Sequence, residues 1–417
     1  MNIKQPIYNL LRKSERYTKT DMVYLAKGGF WLTLGQVVSS LAAFLLAIAF
    51  ANLLPKEIYG TYKYILSLLG ILAIPTLSGM GTAVTRAVAQ GYDGSFVPAL
   101  KLKIKWGLFG GLASIGLAAY YYLNGNLQLT LAFLITAIFI PFMDAFTLYG
   151  ALLQGKKEFA VATRYGIWIK IVAATSIFIT LYFTTNLFAI LFIYLASYTL
   201  LRLLFLKISL KYLENKKEDP GTISYGKHLS LMGIIGLIAA QIDKILVFHF
   251  IGAAELAIYS IAIAMPEQIK SLLKNVSNLA FPKFAEKNSV EIKTTFYKKM
   301  RLFSLFLLVI VFFYILVAPI IFRLFFPQYL ESIIYSQIFS LGLLNIPIVF
   351  LINPLLQSQG RKKELYEIQI NSSIIQIILM AGLTYFYGIL GLIIARLIFR
   401  AYISFLYLSK IKNLKSF

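Results

Sequence analysis

Apolar residues in this chain do not recur at the spacing of a helix with one wet face. They run on in blocks of about twenty residues or more, separated by short polar interruptions. A bilayer core about 30 Å thick needs roughly 20 such residues per helix. Twelve blocks meet that length: 28–52, 61–85, 104–123, 129–153, 163–184, 187–207, 229–251, 257–280, 302–325, 332–357, 366–386 and 389–409. No intervening loop is long enough to be a folded domain. The pattern predicts an all-α polytopic membrane protein with 12 transmembrane helices. The first block starts too late and runs too long for a cleaved signal peptide, and no small-residue cleavage site follows it.

Composition agrees. Of 417 residues, 59 % are hydrophobic and only 14 % charged, against about 25 % charged in a soluble domain. Lipid must therefore be the solvent for much of the chain. The net charge of +23 would suggest nucleic acid in a soluble protein, but position decides otherwise. Lys and Arg crowd the N-terminal arm (Lys4 to Lys27), the loop with Arg86, Lys101, Lys103 and Lys105, and the central stretch from Arg202 to Lys227. They crowd equally the eighth loop (Lys283 to Arg301), Arg361 to Lys363, and the tail. The alternate loops carry only Lys56 and Arg323. That alternation is the positive-inside pattern, with both termini in the cytoplasm. It removes nucleic acid as a partner and makes membrane lipid the surroundings.

Candidate chemistry is sparse. There is no cysteine, and the two histidines, His228 and His249, are too far apart for a local ligand pair. No nucleotide-binding or hydrolase motif occurs. The alternate loops are all short, leaving an outward-facing enzyme nowhere to build its site. Neither an enzyme, a metal nor a cofactor is expected.

The chain repeats itself. Leu152-Leu153-Gln154-Gly155-Lys156-Lys157-Glu158 ends the fourth block, and the tenth ends on Leu355-Leu356-Gln357 followed by Gly360-Arg361-Lys362-Lys363-Glu364. Glu57 to Tyr62 opens the second block as Glu255 to Tyr259 opens the eighth. Six spans per half is an even number, so the halves enter from one side and form two parallel-repeat six-helix bundles. The expected division is an arm at 1–27, a bundle at 28–207, a linker at 208–228, a bundle at 229–409 and a tail at 410–417.

Polar residues inside a span need a partner or a wet cavity. Lys63, Ser67, Gly70, Ser78, Gly81 and Thr85 share one helix face. Small and weakly polar residues such as these pack helices together. The charges need more. Lys170, Asp243, Lys244, Glu267, Lys270, Lys274, Arg396 and Arg400 all lie within blocks. Lys270 is too deep to snorkel and is expected to face a cavity between the bundles, with Glu267 three residues before it as an ion-pair partner. Cations outnumber anions, which suits an anionic substrate. Asp144 follows Pro141, and a hydrogen bond to backbone freed by the proline is expected there. The three tryptophans, Trp31, Trp106 and Trp168, read as interfacial anchors.

The run Leu54 to Tyr62, the run Gln241-Ile242-Asp243-Lys244 and Leu152 to Gly155 resemble the polysaccharide (Wzx-like) flippases of the multidrug/oligosaccharidyl-lipid/polysaccharide (MOP) exporter superfamily. The resemblance implies a MATE-like, V-shaped pair of bundles that alternates access. It implies an oligosaccharide linked through diphosphate to a polyprenyl lipid, flipped to the outer leaflet of the cytoplasmic membrane for surface polysaccharide biosynthesis. It also implies a polysaccharide polymerase and glycosyltransferases as partners. Lys63, Lys170, Lys244, Lys270 and Arg396 become candidates for the head group or diphosphate. Asp243 resembles the family's recurrent aspartate, with Glu267 beside it as coupling or structural ion pair. Lipid II flippases have two further spans, which argues against a peptidoglycan precursor. The alternative is a proton- or sodium-coupled drug or metabolite antiporter of the same superfamily.

Overall fold

A computed structural model describes residues 22–285, 289–358 and 361–412. The basic residues expected in the N-terminal arm before Met22 lie outside these, as do the side chains of Lys27, Lys274, Ser277, Asn278 and the eighth-loop lysines. The described residues are helical almost throughout. Eight segments are long and apolar enough to cross a membrane, and a bent pair makes nine. The segment Glu364–Lys410 is two helices joined across Gly388, whose φ of 59° and ψ of −140° are open to glycine without strain. Phe96–Leu123 and Ala253–Ala285 are equally long but more polar. Together these account for the twelve expected spans.

Among the described residues four spans are broken, three of them beside a proline. The second runs Lys56–Leu72, then Met80–Ala89, with a 42° bend. Pro75 has no N–H to donate and its ring crowds the preceding turn. The fourth breaks between Leu127–Met143 and Leu148–Gly155, just after Pro141. The seventh breaks at Ala240 and Gln241, between Thr222–Ala239 and Ile242–Phe250. The tenth breaks over Leu341–Asn345, before Pro347.

Helix pairing recurs between halves at a six-span offset. First packs on fifth, second on fourth, third on fourth and fourth on sixth. In the second half, eighth packs on tenth and ninth on tenth. Gln376 ties the eleventh to the seventh, and Asn353 with Tyr407 ties the tenth to the twelfth. The halves meet where the first and second spans cross the seventh and eighth. Gly60 allows the closest approach: a Cβ there would overlap the Ala253 carbonyl oxygen. Large apolar side chains such as Phe306, Phe313, Ile320 and Phe386 are bare, as lipid-facing surface must be.

The interface is closed at the end away from the linker. Lys56 pairs with Glu331 at 2.5 Å, and Asn52 donates to the Phe325 carbonyl at 2.8 Å. Tyr64 stacks on Phe248 at 3.8 Å. Nearer the linker, the Gly79 N–H donates to Ser230 Oγ at 3.0 Å.

The linker is sewn to the first half. Gly94 N–H donates to Lys217 O (2.9 Å), Asp219 N–H to Ser95 Oγ (2.8 Å) and Glu214 N–H to Asp93 Oδ2 (2.9 Å). Lys156 Nζ reaches the buried Asp93 at 2.7 Å and Glu214 at 2.9 Å. Burial disfavours the charged Lys156, but the bonds to Asp93 and Glu214 outweigh it, so its pKa is raised above the ordinary value. A raised folded-state pKa gives stability that is complete below the unfolded value, about 10.4, and is lost as pH rises through the folded one. The exchange protection of the Glu214 amide, corrected for intrinsic rate, should therefore be flat from pH 6 to 9. Asp93→Ala should lower that protection at every pH, measured by hydrogen exchange.

Candidate functional site

Charges within the spans fall into three groups. The first is a network in the second half. The break at Gln241 starts a new helical piece, and Asp243 lies in its first turn, 1 % exposed. Its Oδ2 accepts from Tyr259 Oη at 2.8 Å and from Arg396 Nη1 at 3.0 Å. Glu267 accepts from Arg400 Nη2 at 2.9 Å and from Lys270 Nζ at 2.9 Å, with Arg396 Nη2 at 3.9 Å. Arg396 and Arg400, one turn apart, both lie over the Phe339 ring, at 5.1 and 4.6 Å. Three cations share two carboxylates, so one positive charge is uncompensated. Arg400 Nη1 is buried with no acceptor.

The Glu267–Lys270 pair expected from their spacing is present, but Glu267 also serves both arginines. Lys270 lines a cavity of about 280 Å³ with Gly236, Asn345, Gln376, Arg396 and Arg400. Its lining comes from the second half alone, so the cavity lies within that bundle rather than between bundles as the sequence suggested.

The second group is Lys63, Lys170 and Lys244. Among the described residues no carboxylate lies within salt-bridge distance of any of them. Lys63 Nζ sits 5.2 Å from the Tyr59 ring centroid, Lys244 donates to Gln241 Oε1 at 3.2 Å, and Lys170 donates to Ser39 Oγ. Gln241 packs on Gly70 of the second span, two helical turns from Lys63. Lys63 and Lys244 thus belong to the seam between halves. Gln36, one turn before Ser40 on the first span, donates to Ser271 Oγ of the eighth at 2.6 Å, and this polar patch extends that seam toward Lys170. Single ammonium groups held at a span's depth cost about 2.5–3.5 kcal/mol on insertion scales.

The third group corrects two expectations. Lys103 is not a loop lysine: it is 2 % exposed inside the third-span helix. Its Nζ donates to Asp144 Oδ2 at 2.8 Å and to Leu77 O at 3.4 Å. Asp144 also accepts from Thr76 Oγ1 at 2.7 Å. Asp144 therefore binds side chains of two other spans, rather than backbone freed by Pro141. Met143 O at that break is taken instead by Arg202 Nη1 at 2.8 Å. The signal for Lys103 was available. With Gly107, Gly110, Gly111 and Ser114 it occupies one buried helix face, and a lysine ending a small-residue stripe is aimed at a neighbouring helix.

The profile of the family described as polysaccharide biosynthesis protein matches residues 25–288, more than half of the chain. The chain belongs to that family. Its fold is shared with solved transporters. A lipid II flippase, MurJ, in an inward closed conformation superposes with a TM-score of 0.70 at 14 % identity, over 91 % of this chain and 87 % of that one. An inward-facing multidrug resistance MATE transporter of the MOP superfamily gives 0.66 at 13 %, over 91 % and 95 %. An outward-facing MATE transporter gives 0.64 at 15 %, over 93 % and 96 %. No curated protein sequence matches. The chain is thus a multi-pass membrane protein of the polysaccharide biosynthesis family, and it has the fold of those solved transporters.

Arg396 neutralises a carboxylate that has almost no access to water. Arg396→Met should strand Asp243 and lower stability by about 3–5 kcal/mol. Adding Asp243→Asn to that variant should recover most of the loss. Thermal unfolding in detergent reads both, and a single variant as stable as the double would show the pair to be dispensable.

Proposed function

We propose that this protein flips a polyprenyl-diphosphate-linked oligosaccharide from the cytoplasmic to the outer leaflet by alternating access, for surface polysaccharide biosynthesis. The observation that carries the reading is the set of three span lysines, Lys63, Lys170 and Lys244, that have no carboxylate within salt-bridge distance among the described residues. A diphosphate supplies the missing negative charge, and lysine is an apt point-charge partner for it. Lys270 and Arg396, which with Arg400 carry one charge beyond those of Asp243 and Glu267, form a second cationic station on the second half. The lipid tails stay in the bilayer while the head crosses a polar path.

In this reading 28–207 and 229–409 are the two moving bodies, 208–228 joins them, and the arm 1–27 and tail 410–417 lie in the cytoplasm. The membrane is the cytoplasmic one. Glycosyltransferases supply the substrate and a polysaccharide polymerase consumes it.

The test is complementation of a strain lacking this gene. Lys63→Ala and Lys244→Ala, at normal protein levels, should lower surface polysaccharide at least about tenfold and raise the cytoplasmic-leaflet glycolipid. The matching Lys→Arg variants should keep part of the export, because the charge survives. Unchanged export in the Lys63→Ala, Lys244→Ala double variant would sink the proposal.

Sidedness is tested separately, helped by the cysteine-free sequence. Gly125→Cys and Gln328→Cys should react with an impermeant maleimide in intact cells, and Gly221→Cys only after permeabilisation. The reverse pattern would invert the topology.

A further inference from the structure

Between the linker-end pieces of the second and fourth spans lies a cavity of about 640 Å³, within the range of small-molecule pockets, about 300–1,000 Å³. It lies within the first half, apart from the lysines of the seam. We propose that it holds the sugar residues of the transported glycolipid while the lysines hold the diphosphate. The inference rests on the glycolipid reading above and names a separate subsite for its carbohydrate.

The lining chemistry selects the ligand. Ser78, Thr82, Thr85 and Thr147 bring hydroxyls, Gln154 an amide and Asp144 a carboxylate. Asp144 Oδ2 is committed to Lys103 and Thr76, but the side chain is 39 % exposed and lines the cavity. Lys103, 3 % exposed at its side chain, is spent on Asp144 and Leu77 O. The back wall therefore presents an acceptor carboxylate rather than a cation. A carboxylate neutralised in this way still accepts hydrogen bonds from hydroxyl groups. Arg86 also lines the cavity, with its guanidinium over the Tyr225 ring at 5.1 Å. Hydroxyl-rich rings match this surface, with the hydroxyls, the amide and the carboxylate as their hydrogen-bond partners.

Two glycines make the idea testable. Gly81 and Gly150 both line the cavity, and a Cβ at either would meet no atom within 4 Å. Both lie on helices, where glycine is the weaker former by about 1 kcal/mol against alanine. Leucine at either position fills the cavity without a backbone clash.

The assay is flipping in proteoliposomes of two probes: undecaprenyl diphosphate carrying one N-acetylhexosamine, and the lipid-linked oligosaccharide extracted from the host. Gly81→Leu and Gly150→Leu should slow the oligosaccharide at least about tenfold and leave the monosaccharide lipid within about twofold of the parent. Gly116→Leu and Gly382→Leu, at exposed positions that also face open space, should slow neither. Lys63→Ala should slow both probes. Both probes moving normally in the Gly81 and Gly150 variants would overturn the sugar site. So would an equal loss of both probes in well-folded variants, which would mark the cavity as needed for motion. A parent protein that moves neither probe would overturn the flippase reading itself, and the subsite with it.

Discussion

Hydrocarbon offers no water to a freed backbone group, so each interruption of a span must find its partner in another span. Three of the breaks show how this is met. The carbonyl of Leu77, at the bend of the second span, receives Lys103 from the third. Met143 O in the fourth receives Arg202 from the sixth. Ala239 O in the seventh receives Gln376 from the eleventh. The bends thus become the points at which helices of one half are tied together. Several long polar side chains within the spans are there to satisfy backbone, and these must be set aside before the remainder is read as chemistry.

What is left after that subtraction is unevenly compensated. In the second half Asp243 and Glu267 hold Arg396, Arg400 and Lys270 in a connected network, leaving one excess charge. A buried pair of this kind seldom adds net stability over an apolar replacement, yet is costly to break. Its paired charges fix the twelfth span against the seventh and eighth, and only the excess charge is left to meet a ligand. The lysines at the seam are different, because no carboxylate among the described residues lies within salt-bridge distance of them. A transporter for an anionic head group needs positive charge that is available rather than already paired, and in a place that both halves can reach.

The joints between halves indicate where motion can occur. At the end away from the linker, Gly60 against Ala253, Tyr64 on Phe248 and Lys56 with Glu331 form a seal. A rocking motion would have to part all three contacts together. At the other end the linker is no slack tether. Its residues from Glu214 to Asp219 are bonded to Asp93, Gly94 and Ser95, so it travels with the first half.

Hydrophobic run length was enough to predict an all-helical fold that crosses the membrane many times, because the bilayer imposes that constraint residue by residue along the chain. The Gln241-Ile242-Asp243-Lys244 run and the charged positions 267, 270, 396 and 400 stood out for the same reason: charge in hydrocarbon is conspicuous without coordinates. Which charges neutralise one another was not legible. Asp243 binds Arg396, 153 residues away, and Lys103, which run length alone leaves in a loop, lies in a helix that begins at Phe96. The placement of Lys270 inside one bundle and the cavity beside Asp144 were hidden in the same way. Pairing and enclosure depend on how helices rotate against each other, and rotation is set by packing between distant segments rather than by periodicity within any one of them.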